Sequence, residues 1–390
     1  MCSNTSSSFE CLNGGRCNLN GSCVCTDTCF VGDICEINYN AARLPLAGAI
    51  VQDYPSTRDD YIAIFVLLSL VGLINNIFSL TTFVRERIRL TVWGIYLIVF
   101  SLLSIALMLT ILSYIMVIVR YDNDTYRLLA CHGIPFVSLI MIDGSIFCTA
   151  AIAVERVFIE CWNFSINGSR WRALWISIGI IIYACVSNLD DIFIREITLD
   201  PAGNPVCTYN FDGHPFWRPF DIVFSYAHVI IPCVIHLTCS ICVLTTIARR
   251  KIFIRSTEDK LYRVWFRQLF IHKDFLIPPV CLILCVLPHG ILGHLLQTCI
   301  PYSDKAKLRL HIAFVLLLYV PQTLAFLLYV YPNDIYWKEF QQTFIYRSMC
   351  WYCIRRKRKS KEDGELRSLV HTSTSSRSTL SVEQNSSLQN

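Results

Sequence analysis

Asp143 is the one carboxylate deep inside a long apolar run, 129–154. An ionisable group in such surroundings is expensive and calls for a named partner or a function. Two histidines occupy comparably apolar stretches, His228 four residues before Pro232 and His289 directly after Pro288. Carboxylate, imidazole and the Ser138 hydroxyl together could grip a polar ligand; Asp143 hydrogen-bonded purely for packing is the alternative. Where the run ends, Glu155 precedes Arg156, and a carboxylate can hold an arginine in one state and release it in another. Snorkelling of an arginine at a helix end is the plainer reading of the same residues. No nucleophile set, metal-ligand cluster or phosphate-cradling loop accompanies them, so neither enzyme activity nor a cofactor or metal is expected.

The elements that must carry these residues are visible in the charge distribution. Seven stretches, 61–83, 92–118, 129–154, 173–194, 222–248, 275–298 and 310–331, hold 171 of the 390 residues but only three charged ones, Asp143, Asp190 and Asp191. Each is long enough, at 1.5 Å per residue, to cross a hydrocarbon core of ~30 Å. A seven-transmembrane helix bundle, all-α, is therefore expected. Of the 34 Lys and Arg, 24 fall in the segments on one side of these spans. The positive-inside rule makes that side cytoplasmic and the N-terminus extracellular, so the basic residues need no nucleic-acid partner. Residues 1–40 contain no apolar core of a cleavable signal, which leaves the first span as the expected targeting signal.

Cysteines agree with that orientation. Seven of the 20 lie in the first 35 residues, the density of a disulfide framework in an oxidising compartment. The run Cys11-Leu-Asn-Gly-Gly-Arg-Cys17, then Cys23-Val-Cys25 and Gly32-Asp-Ile-Cys35-Glu36, resembles an epidermal-growth-factor-like module over 1–36. That resemblance implies pairing of Cys2 with Cys17, Cys11 with Cys23 and Cys25 with Cys35, and leaves Cys29 over. Residues 37–60 then read as an extracellular spacer.

Cys131 opens the third span and Glu155-Arg156 closes it. With Asn76, Trp175, Pro232, Cys285-Val-Leu-Pro288 and Tyr329 in order on successive spans, residues 61–350 resemble the rhodopsin-like G-protein-coupled receptors, in a divergent form. The resemblance implies a bridge from Cys131 to Cys207 over the bundle mouth, a switch involving Glu155, Arg156, Pro232, Pro288 and Tyr329, and a heterotrimeric G protein as partner. It also implies that Asp143 faces the fifth helix at His228, with Ser138 and His289 nearby in a ligand site. Ser138 stands where amine receptors carry an aspartate, so a peptide or another small polar ligand is expected. Retinal is disfavoured because the seventh span has no lysine. Departures include Ser101 and Ser104 in place of the acidic residue of the second span, Val286 in place of a tryptophan, and Ala325-Phe-Leu-Leu-Tyr329 in the seventh. They keep a non-signalling adhesion or scavenging protein open as the rival reading.

After the bundle, 61–331, residues 332–353 put Tyr336, Phe340 and Phe344 four apart, as in an interfacial helix on the lipid bilayer. Cys350 and Cys353 beside Arg355-Arg-Lys-Arg-Lys359 suit palmitoylation next to a polybasic patch. Residues 354–390 are polar and rich in Ser and Thr, expected to be disordered and able to engage arrestin once phosphorylated. The expected location is the plasma membrane. Sequons at Asn4, Asn20 and Asn123 fall outside in this topology, and those at Asn163 and Asn167 inside. Glycosidase shifts on single Asn→Gln variants should therefore vanish only for members of the first group, and loss of a glycan in Asn163→Gln would invert the topology.

Overall fold

In this computed structural model the described residues are 11–12, 14–18, 22–26, 30–31, 34–35, 37–38, 46, 49–50, 53, 55–120, 123–162, 170–199, 205–209, 216–255, 260–271, 273–291 and 305–348. Cys2, Asn4, Asn20, Cys29, Asn163, Asn167, Cys350 and Cys353 lie outside them. The chain divides into two units between Tyr336 and Trp337.

The long helices are α1 (Pro55–Phe83), α3 (Val92–Val119), α5 (Ile134–Trp162), α6 (Arg170–Ser187) and α8 (Trp217–Arg255). Short helices α2 (Glu86–Arg89), α4 (Asp124–Leu128) and α7 (Asp190–Phe193) join them. Helix α9 (Leu261–Ile271) is followed by α10 (Lys273–Gly290), then α11 (Lys305–Leu317) and α12 (Val320–Thr323). Among the described residues five helices are long and apolar enough to cross a membrane, six if α9 and α10 count as one bent span. The protein is thus a multi-pass, mostly helical membrane protein.

The expected seventh span, 310–331, is not one continuous helix. It runs as α11, α12 and a π-helical turn, Phe326–Val330. Pro321 lacks the amide hydrogen that a through-going helix would use, so the ladder restarts there. Near it Asn76 donates to the carbonyls of Gly72 and Gln322, both at 2.8 Å, and the Gln322 amide donates to Ser145 at 2.8 Å. These bonds tie α1, α12 and α5 at the level of the break.

Two further differences concern the end of the bundle that carries Cys131. The sheet is not absent there: β5 (Arg195–Leu199) and β6 (Pro205–Tyr209) form an antiparallel hairpin with Ile197 opposite Cys207. The stretch expected as spacer reaches the bundle core, where Leu46, Ala49 and Ile50 pack in one cluster with Leu107, Ile142 and Ile312. Apolar side chains at 46, 49 and 50 gain more from burial than from water. Asp53 follows them inward, accepting from Tyr61 at 3.2 Å and from Arg309 Nε at 3.0 Å.

Near the N-terminus β1 (Arg16–Cys17) pairs with β2 (Cys23–Val24), and β3 (Phe30–Val31) with β4 (Ile37–Asn38). Disulfides join Cys11 to Cys23 and Cys25 to Cys35, and Cys17 is disulfide-bonded as well. Gly14 adopts a φ of 75° in the turn before β1, a conformation open to glycine at little cost.

In the second unit the expected single face does not persist. Helix α13 (Asp334–Gln341) ends before Phe344, because Thr343 Oγ1 accepts from the Tyr346 amide at 3.3 Å and caps a fresh turn. Trp337, Phe340 and Tyr346 instead meet in tilted and edge-to-face contacts, while Phe344 is exposed.

Cys131 is bonded to Cys207, across a Cα separation of 5.6 Å. The bridge fastens β6 to the π-helical turn Leu129–Gly133 that opens α5. Cys131→Ser and Cys207→Ser should each lower surface expression, and the double variant should be no worse than either, measured by surface labelling. Additive losses would mean that the two sulfurs act independently.

Candidate functional site

Helix α5 brings Asp143 inward because its polar residues Ser138, Asp143, Ser145 and Thr149 are buried while the apolar Val137 faces out. The carboxylate lies 3.2 Å from Nδ1 of His228 on α8 and accepts from the Asn188 amide at 2.9 Å. The other imidazole nitrogen of His228 is 3.0 Å from Ser187 Oγ. The imidazole is fenced by the rings of Phe147, Tyr183 and Phe224, with centroids 5.7 to 6.1 Å away.

Ser138, Asp143, His228 and His289 all line one cavity of about 210 Å³. The His289 ring sits 5.9 Å from that of His311 on α11, and Val286 forms part of the apolar wall. Gly290 lets α10 close on α8: a Cβ there would meet Val229 Cγ1 at 2.6 Å. The approach of the two helices beside Pro288 therefore depends on hydrogen at this position.

Sequence reasoning missed the cavity's outer wall. Arg195, the first residue of β5, donates from Nε to Asp191 at 2.8 Å and from Nη2 to Tyr209 at 2.8 Å; the Tyr209 hydroxyl in turn donates to Asp191 at 2.9 Å. The guanidinium also lies 4.9 Å from the centre of the Tyr209 ring. Burial alone would lower the Arg195 pKa, but the attraction of Asp191 outweighs it and holds the group above its usual value. Burial pushes the Tyr209 phenol well up, so both remain protonated at neutral pH. Arg195 follows Asp191 by four residues, a spacing at which opposite charges meet on a helix; that was the available signal. Asp190 and Asp221 line the same cavity, and Asn188 had no sequence signal at all.

At the other end of α5 the pairing differs from the expectation. Glu155 accepts from Arg172 on α6 with both oxygens, each at 2.8 Å, in place of its sequence neighbour. Adjacent helical residues point to different faces, so Glu155 and Arg156 diverge. Arg156 lies over the Trp93 ring, 5.2 Å from its centre. Arg156 and Tyr329 nevertheless line a common small cavity of about 50 Å³, with His236 bonded to Thr149 at 3.1 Å on its wall. Pro232 sits inside α8 and Pro288 inside α10. Tyr329 meets Phe100 edge to face at 5.2 Å. Among the described residues no cluster of three or more His, Cys, Asp or Glu is arranged to hold a metal.

Removing one partner of a buried polar contact leaves the other unsatisfied at a cost of ~1–3 kcal/mol, whereas replacing both by apolar groups of like shape can be nearly neutral. Asp143→Leu and His228→Phe should each lower the thermal midpoint of the purified full-length protein, and the double variant should recover most of the loss. A double variant as unstable as the sum of the singles would refute coupling between the two side chains.

No family model matches the chain. Over 184 residues it is 22% identical to the melatonin receptor type 1B of Rattus norvegicus, a region covering 45% of this chain and 50% of that protein. The chain thus spans about half the length of the curated relative it matches. The similarity is to a receptor, and the apolar helices are those of a multi-pass membrane protein.

Proposed function

We propose that this protein is a divergent G-protein-coupled receptor of the rhodopsin-like kind, with seven spans and an extracellular N-terminus. It carries an extracellular ligand's signal across the plasma membrane to a heterotrimeric G protein. The observation that carries the reading is the cavity of about 210 Å³ holding Ser138, Asp143, His228 and His289 under a hairpin tied down by Cys131–Cys207. The seventh span is the broken run from α11 through Val330, and the disulfide-rich N-terminus is an epidermal-growth-factor-like module. Ligand binding would favour one arrangement of the bundle by making contacts that the other arrangement lacks. Mixed acidic, basic and hydroxyl groups suit a peptide or another small polar ligand.

A non-signalling adhesion or scavenging role is the second reading, favoured by the Glu155–Arg172 pair. That contact commits the carboxylate to a neighbouring helix and removes it as a clamp on Arg156. The two readings part in a second-messenger panel run with a peptide and extract library on cells expressing the full chain. A signalling receptor should lose response roughly tenfold or more in Arg156→Ala, within the range of couplings between distant sites, with surface expression unchanged. A chain that binds library components at the cavity, yet gives equal second-messenger output with and without them, is the adhesion or scavenging protein.

A further inference from the structure

Helix α8 is free of charge from 222 to 248 and then meets Arg249, Arg250 and Lys251. That change marks the level at which it leaves the hydrocarbon. Helix α9 packs on α8 at this level, with Lys251 Nζ donating to the buried Gln268 at 3.4 Å. The next helix, α10, runs back beside α8, for Gly290 abuts Val229 while Pro279 and Val243 line one small cavity. Between α9 and the rest of α10, Leu276–Gly290, the axis turns by 83°. Helix α9 therefore lies close to the membrane plane, at the depth of the interface.

Its faces are sorted. Val264, Trp265 and Gln268 are turned inward, whereas Tyr262, Phe266 and Phe270 are 57, 57 and 77% exposed. Those three, spaced by four, form one arc at 100° per residue, and Arg263 and Arg267 form the adjoining arc. An aromatic stripe flanked by arginines on an in-plane helix matches an anionic leaflet: rings at the boundary of headgroup and acyl chain, guanidinium groups on the phosphates.

We infer that α9 is an interfacial helix that binds anionic phospholipid through Tyr262, Phe266 and Phe270 with Arg263 and Arg267. The inference rests on the membrane-spanning reading of α8 and α10 and not on G-protein coupling. To test it, the full chain carrying photoreactive benzoylphenylalanine at Phe266, and separately at Phe270, is placed in nanodiscs of phosphatidylcholine mixed with phosphatidylserine. Irradiation should give lipid adducts at both positions, with phosphatidylserine enriched over its share of the disc. Arg263→Gln with Arg267→Gln should bring phosphatidylserine capture back towards its share of the disc, while lipid adducts persist. Adducts only to protein, no adducts at either position, or phosphatidylserine captured in proportion to its share would each overturn the proposal. Nucleotide exchange on added G protein, measured in the same discs, keeps the two readings apart: lipid capture supports the interfacial helix with or without exchange, and exchange without lipid capture refutes it.

Discussion

A carboxylate withdrawn from water must be compensated within the protein, and the placement of Asp53, Asp143, Glu155 and Asp191 governs how the helices are fastened. All four are buried, and each meets a donor from another part of the chain: Arg309 on α11, His228 on α8, Arg172 on α6 and Arg195 on β5. A buried polar group left without its partner costs ~1–3 kcal/mol, and more if it is charged, so a slip that separated any of these contacts would be penalised even where the contact itself adds little net stability. The lipid-facing residues cannot supply such discrimination, since hydrocarbon tails solvate an exposed leucine as well as a neighbouring helix does.

Directionality follows from these contacts. Van der Waals packing of Leu107, Ile142 and Ile312 tolerates small rotations, but a carboxylate held by His228 and Asn188 at 3.2 and 2.9 Å does not. Asp143 thus sets the rotation of α5, and with it the face on which Ser138 and Thr149 appear. The outer hairpin is fixed in the same manner at two points, covalently at Cys207 and electrostatically at Arg195. Between them these anchors hold a polar cavity open beneath the hairpin, against the tendency of apolar side chains to fill it.

Much of this was legible in the sequence where the signal is one-dimensional. Charge-free runs locate the apolar helices, and the lone acid in one of them led to Asp143 and, through the family resemblance, to His228. What escaped reading depends on three-dimensional neighbours. Glu155 and Arg156 are adjacent in sequence yet point apart on a helix, and the true partner, Arg172, lies on the next helix. The inward packing of Leu46 and Ile50 could not be read because a short apolar run before a span looks the same whether it packs or not. The break at Pro321 was visible as a proline, but the bond that Asn76 makes to the Gln322 carbonyl beside it was not, because its two residues are far apart in sequence.

That break has a mechanical meaning for the two ends of the bundle. Asp143 and Arg156 are 13 positions apart on α5, ~20 Å along a continuous helix. Such a helix transmits a shift or a rotation but does not itself have two stable forms. A switch needs an element with alternative packings, because an equilibrium can be biased only where two states exist. The run from α11 through α12 to the π-helical turn is the interrupted one. It touches the cavity through His311 and Tyr319, meets α5 midway through Gln322 and Ser145, and reaches the small inner cavity through Tyr329. Its hydrogen-bond ladder is already interrupted, so repacking it sacrifices fewer backbone bonds than bending an intact helix would. Were the cavity beneath the hairpin coupled to Arg156, this jointed segment moving against a continuous α5 would be the route, with the Gln322–Ser145 bond as the contact that registers one against the other.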